Sequence, residues 1–120
     1  MRVLIADDSS SLRLLIRRIL DDHEVVEAGT GDAALDVLRT DPVDIAILDV
    51  NMPGANGLDV CRAIRQDPSH AATDVIVITA NGATDAEQQA LDAGADAFLA
   101  KPFSPRRLCE LVDMLAAATN

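Results

Sequence analysis

Five short runs of strand-forming residues, at 2–6, 24–28, 45–48, 75–79 and 97–100, recur along the 120 residues with a helical pattern after each one. This alternation is the signature of repeated βα units on a parallel sheet. Leu12, Leu15, Ile16, Ile19 and Leu20 follow the spacing i, i+3, i+4, i+7, i+8 and make one apolar stripe on the first helix. The second helix carries Ala34, Leu35 and Leu38 after Gly31 and Asp32, and the third runs from about 58 to 65 with Val60, Cys61 and Ile64 inward. The fourth, about 85–93, is weakly apolar, with only Ala86, Ala90 and Leu91, and stops at Gly94 as a helix-ending glycine should. The fifth opens on Ser104-Pro105, a capping serine before a proline at the first helical position, and its stripe is Leu108, Leu111, Val112 and Leu115. The segment 66–73, broken by Pro68, reads as a surface loop.

Five βα units joined by right-handed crossovers give an α/β fold, an open parallel sheet doubly wound with helices on both faces. The length fits one domain spanning 1–120 with a core of its own. Ligands of such sheets bind outside the carboxyl ends of the strands, where strand order reverses.

That rule turns a scatter of polar residues into a site. Asp7 and Asp8 follow the first run, Asp49 the third, Thr79 ends the fourth and Lys101 follows the fifth, so all five belong to one edge of the sheet. Neighbouring strands lie about 5 Å apart, within reach of these side chains. Three carboxylates there repel, each pair by on the order of 3 kcal/mol at ~5 Å and an effective dielectric of ~20. One lysine does not offset three such charges. A divalent cation does, and magnesium prefers a few carboxylates, waters and phosphate oxygens.

The segments Asp7-Asp8, Asp49-Val50-Asn51-Met52-Pro53-Gly54, Thr79-Ala80 and Lys101-Pro102-Phe103 stand in the order and spacing of the receiver domains of bacterial response regulators. The resemblance covers the whole chain. It implies a flavodoxin-like (βα)5 sheet of order 2-1-3-4-5 and a place in a two-component phosphorelay. By resemblance Asp49 is the phosphoacceptor, attacking a phosphohistidine of a histidine kinase or histidine phosphotransfer protein. Asp8, Asp49 and the main-chain carbonyl of Asn51 would ligate magnesium, with Asp7 acting through a metal-bound water. Lys101 and Thr79 would hold phosphoryl oxygens, and Ala80 leaves room for the group. Phosphoryl transfer needs mainly this kind of positioning and charge neutralisation. The family also implies a cis peptide at Lys101-Pro102 and a switch in which Thr79 moves inward with the aromatic three residues before the lysine, here Phe98. The strand-five, fourth-helix and fifth-helix face would then signal a downstream protein or effector domain. Asn51 and Asn81, two residues beyond Asp49 and Thr79, are expected to tune hydrolysis of the acyl phosphate. Ser10, Ser11, Leu12 and Leu15 are candidate contacts for the phosphodonor.

Taken singly, each residue has an ordinary explanation. Asp7-Asp8 would cap a helix, Asp49 would start a turn, Thr79 would end a strand, and Lys101 would sit solvated in a loop. Their joint order at one sheet edge outweighs these readings. The main rival is a magnesium-dependent aspartyl-phosphate phosphohydrolase of the haloacid-dehalogenase type. That class resembles a strand-one nucleophile with a second aspartate two residues on, where this chain has Ser9. A flavin carrier of the same fold would need an aromatic to stack on the ring and a phosphate-cradling loop after strand one. Phe98 and Phe103 are the only aromatics. A degenerate receiver acting as a constitutive module would lack site residues that are all present here.

The remaining features bound partners and place. A net charge of −10 argues against direct contact with nucleic acid, which needs a basic face. No apolar run spans a bilayer, and the stretch before Asp7 is too short for a secretory signal, so the cytoplasm is the expected compartment without membrane attachment. Cys61 and Cys109 read as small core residues, and Met52 and Met114 as packing. His23 and His70 lie in connections, and Arg17-Arg18 and Arg106-Arg107 read as solvated helix faces.

Overall fold

The computed structural model describes residues 1–80 and 85–118. The strands are β1 (Arg2–Ala6), β2 (Glu24–Ala28), β3 (Ile45–Asp49), β4 (Asp74–Thr79) and β5 (Ala97–Ala100). Between and after them run α1 (Ser10–Ile19), α2 (Gly31–Thr40), α3 (Gly57–Gln66), α4 (Ala86–Asp92) and α5 (Pro105–Ala118). All strand pairs are parallel, and the order is β2-β1-β3-β4-β5, as the resemblance implied.

Strand residues alternate between two apolar cores because successive side chains leave on opposite faces. Leu4, Ala6, Ala46, Leu48, Val75 and Val77 face α2, α3 and α4, which contribute Ala34, Leu38, Val60, Cys61, Ile64 and Ala90. Val3, Ile5, Ile45, Ile47, Ile76 and Ile78 face α1 and α5, which contribute Ile16, Leu20, Leu108, Leu111 and Val112. Burial on both faces is why β3 and β4 read as continuous apolar runs.

Local chemistry sets the helix starts. Ser9 caps α1 by accepting from the Leu12 amide, and Thr30 caps α2 by accepting from Ala33. Asn56 and Asp59 form a reciprocal capping box on α3. Ser104 Oγ accepts from the Arg107 amide at 3.0 Å at the head of α5. Only α4 starts differently, after Asp85 in a left-handed conformation with φ 63° and no side-chain cap.

Several sequence expectations change. The segment 66–73 is not a plain surface loop. It contains a 3-10 turn at Pro68–His70, buries His70 and Thr73, and ties to the loop before β3 through Thr73 Oγ1 donating to the Val43 carbonyl at 2.7 Å. Cys61 is buried and Cys109 only half so. Met114, expected to pack, is exposed, because no described element covers that side of α5, and Leu15 on the α1 stripe is exposed as well. Among the described residues no helix is long and apolar enough to cross a membrane.

Candidate functional site

Register brings the polar residues level. Ala6 pairs with Leu48, so Asp7 and Asp49 emerge side by side, and Asp49 pairs with Ile78, one residue before Thr79. Thr79 pairs with Ala100, which places Lys101 just past the end of β5. Asp7 and Asp49 are each 1% exposed and Thr79 is 4% exposed, while Asp8 faces solvent. One carboxylate oxygen from each of Asp7, Asp8 and Asp49 lies within 4.8 Å of the others.

Lys101 enters this group from two strands away. Its Nζ donates to Asp49 Oδ2 at 2.8 Å and lies 3.5 Å from Asp7 Oδ2. Asp49 Oδ1 accepts from the Asn51 amide at 3.0 Å, and Asp7 Oδ1 from the Ser9 amide at 2.8 Å. Among the described residues Asp7 Oδ2 and Thr79 Oγ1 are buried with no hydrogen-bond partner. Arg2 Nε and His70 Nδ1, outside this group, are buried without a partner as well, so it is the pairing of two such oxygens with the carboxylate cluster that marks the site. The Lys101–Pro102 peptide bond is cis.

The charges respond to one another. Burial pushes the Asp7 carboxyl above its ordinary range, aided by the proximity and charge of Asp49 and opposed by the Ser9 amide and Lys101. Burial alone would lower Lys101, but its hydrogen bond to Asp49 and the charges of Asp49 and Asp7 win, leaving it raised. Lys101 therefore stays a cation. Burial also raises the Cys61 thiol, which fits an inert core residue rather than a nucleophile.

Phe98 is half-buried and packs against the core under α4. It lines, with Thr79, Ala80, Ala86, Leu91 and Ala100, a cavity of about 580 Å³ between the sheet and α4. Asn51 is exposed on the loop after β3. Asn81 lies outside the described residues. Gly57 is forced by close approach, since a Cβ there would sit 2.5 Å from the Asp49 carbonyl oxygen.

The model for the response regulator receiver domain matches residues 3–113. The chain belongs to that family. Its relatives include chemotaxis protein CheY of Pseudomonas aeruginosa, 33% identical over 123 residues that span 100% of this chain and 99% of that protein. Transcriptional regulatory protein ResD of Bacillus subtilis is 37% identical over 109 residues, 89% of this chain but only 44% of ResD. Among solved structures, the receiver resembles chemotaxis protein CheY4 of Vibrio cholerae, with a TM-score of 0.87, 31% identity and coverage of 95% and 97% of the two chains. As a receiver domain it is a component of two-component signalling, and it gathers the carboxylates of Asp7, Asp8 and Asp49 into one cluster.

Sequence reading missed one participant. Arg13, on α1, donates from Nη1 to the Asp7 carbonyl at 2.6 Å and from Nε to Glu27 Oε1 at 3.1 Å. Nothing in the helical pattern separates Arg13 from a solvated face residue. Its partners lie on β1 and β2.

Proposed function

We propose that this receiver takes a phosphoryl group onto Asp49 from a phosphohistidine of a histidine kinase or histidine phosphotransfer protein, in a magnesium-dependent reaction. A carboxylate oxygen of Asp49 bonds to phosphorus as the bond from phosphorus to the imidazole nitrogen breaks, leaving an acyl phosphate and a free histidine. The observation that carries this reading is the 2.8 Å contact of Lys101 with Asp49 inside a ring of three carboxylates. One ammonium does not balance two buried carboxylates with a third, exposed one beside them, and the arrangement calls for a further cation.

The donor set fits magnesium: hard carboxylate oxygens, one of them, Asp7 Oδ2, buried with no hydrogen bond among the described residues and only the Lys101 ammonium near it at 3.5 Å. Asp8, Asp49 and the Asn51 carbonyl would hold it, with Asp7 acting through a water. When bound it supplies positive charge beside the transferring oxygens. Lys101 neutralises a phosphoryl oxygen on the other side. The partnerless Thr79 hydroxyl is a donor free to turn toward the new anion.

Switching follows from shared space. Thr79 and Phe98 line one cavity, so inward movement of Thr79 opens room for Phe98 to follow. The face formed by β5, α4 and α5 then changes shape for a downstream protein or effector domain. The donor would approach along α1, where Leu12, Leu15 and Phe103 line an apolar cleft of about 510 Å³ that Lys101 also borders. Residues 1–120 act as one receiver unit in the cytoplasm, without direct contact to nucleic acid or membrane, and catalyse only their own phosphorylation and dephosphorylation.

The test is incubation with acetyl phosphate and magnesium followed by intact-mass measurement. One added phosphoryl mass, lost in Asp49→Asn, is expected. No adduct, or an adduct that survives the substitution, overturns the assignment, and turnover of many phosphate esters would reveal a hydrolase instead.

A further inference from the structure

We propose that Arg13, held in place by Glu27, is a positioning residue that sets the separation of the Asp7 and Asp8 carboxylates and so the site's affinity for magnesium. The inference rests on the function proposed above.

Consecutive residues of an extended strand point to opposite faces. Asp7 and Asp8 nevertheless bring carboxylate oxygens within 4.8 Å of each other and of Asp49. The chain must therefore leave strand geometry between them. The Asp7 amide still donates to the Ala28 carbonyl at 3.1 Å, continuing the pairing of β1 with β2. The departure falls at the next peptide, which joins Asp7 to Asp8. The carbonyl of that peptide is the one Arg13 Nη1 grips at 2.6 Å.

The arginine is itself fixed. Its Nε donates to Glu27 Oε1 at 3.1 Å, and Arg17 Nε occupies the other oxygen at 2.9 Å. Glu27 sits on β2 opposite Ile5, two residues before Asp7. The guanidinium also passes beside Gly29, where an added Cβ would meet Nη1 at 3.4 Å. A planar, two-pronged donor with both prongs engaged holds a carbonyl in one direction, which a single flexible ammonium does not.

Charge and positioning predict opposite signs. A cation beside an acidic pocket repels a divalent ion, so if Arg13 acted by charge alone its removal would tighten magnesium binding. If it positions the Asp7–Asp8 peptide, removal weakens binding by about tenfold, the scale seen when groups that orient metal ligands are lost.

Calorimetric titration of magnesium chloride into the wild-type protein, Arg13→Gln, Arg13→Lys and Glu27→Gln separates these cases, with circular dichroism and thermal unfolding in chelator confirming that each is folded. Weaker binding is expected in all three variants, Arg13→Lys included, although it keeps the charge. A folded Arg13→Gln that binds magnesium as tightly as wild type, or more tightly, overturns the proposal. Should Arg13→Gln not fold, undiminished affinity in Arg13→Lys and Glu27→Gln overturns it equally. A wild-type protein that takes up no magnesium would defeat the reading of the site itself, and this inference with it.

Discussion

Lys101 Nζ lies 2.8 Å from Asp49 Oδ2 although β4 stands between their strands. The lysine crosses the carboxyl end of β4, where Thr79 sits with its hydroxyl unpartnered. The ammonium, the buried carboxylate and the hydroxyl therefore occupy three adjacent strand ends. The arrangement holds opposing charges close without metal and leaves Asp7 Oδ2 and Thr79 Oγ1 unsatisfied. Both are costs to the resting fold, and under the proposed function they are the groups that would meet an ion and then an anion.

Replacing Lys101 with methionine strands Asp7 and Asp49 without their shared counter-ion. The loss in stability should be about 1–3 kcal/mol, below that of a wholly buried pair because the lysine side chain is 35% exposed. Urea unfolding in chelator measures it. Magnesium should then raise the midpoint of Lys101→Met more than that of wild type, since a competing cation has gone.

Asp7→Asn keeps an oxygen for the Ser9 amide while removing a buried charge. Because the folded pKa of Asp7 is raised, its contribution to stability is fully present below 3.8 and is lost as pH rises through the folded value. The asparagine variant has no such loss. In chelator near neutral pH it should be the more stable protein, by on the order of 1 kcal/mol given an effective dielectric of ~20 and partial compensation by Lys101. Unfolding series from acid to neutral pH should show the two proteins diverging upward in pH, and parallel curves would count against the raised Asp7. Magnesium affinity should fall in the same variant.

Thr79→Val removes a hydroxyl that is buried and has no hydrogen-bond partner among the described residues. The resting protein should gain about 1 kcal/mol, the penalty of an unsatisfied buried group. Phosphorylation from acetyl phosphate should slow at the same time. A variant less stable than wild type would show that the hydroxyl has a partner in solution.

Gly57→Ala should cost about 1–3 kcal/mol through overpacking, since its Cβ would press on the Asp49 carbonyl at 2.5 Å. The displaced backbone is that of Asp49, the proposed phosphoacceptor, so the phosphorylated fraction should drop with the melting temperature. An alanine variant of wild-type stability would mean that the loop after β3 yields freely.

How legible these features are from residues alone depends on whether their cause is local. The strands lie where apolar, β-branched runs stand between helical patterns, and β1, β2 and β5 match residue for residue, while β3 and β4 each extend by one residue, Asp49 and Asp74. The helix start at Ser104 follows from a hydrogen bond spanning three residues, while α1 is capped by Ser9 rather than by Asp7-Asp8, the pair whose ordinary explanation is a cap. Strand ends also bring Asp7, Asp49, Thr79 and Lys101 to one edge of the sheet, because a parallel βα repeat puts every strand's carboxyl end on the same side. The sheet order came from family likeness, since periodicity does not say which strands are neighbours.

Other features exist only once elements meet. Whether Leu15 and Met114 are covered depends on which helices lie beside theirs, and helical spacing marks a stripe without saying how much of it a neighbour reaches. His70 is buried because the turn before β4 folds back onto α2 and α3. The tether from Glu27 through Arg13 to the Asp7 carbonyl joins β2, α1 and β1. The sequence by itself determined the alternation of elements and the identity of the acids and the lysine, because period and residue type are properties of the chain. Tertiary structure alone decided their separations, the unpartnered oxygens and the arginine that holds the Asp7–Asp8 peptide, because those distances arise from strand register and helix docking between residues far apart along it.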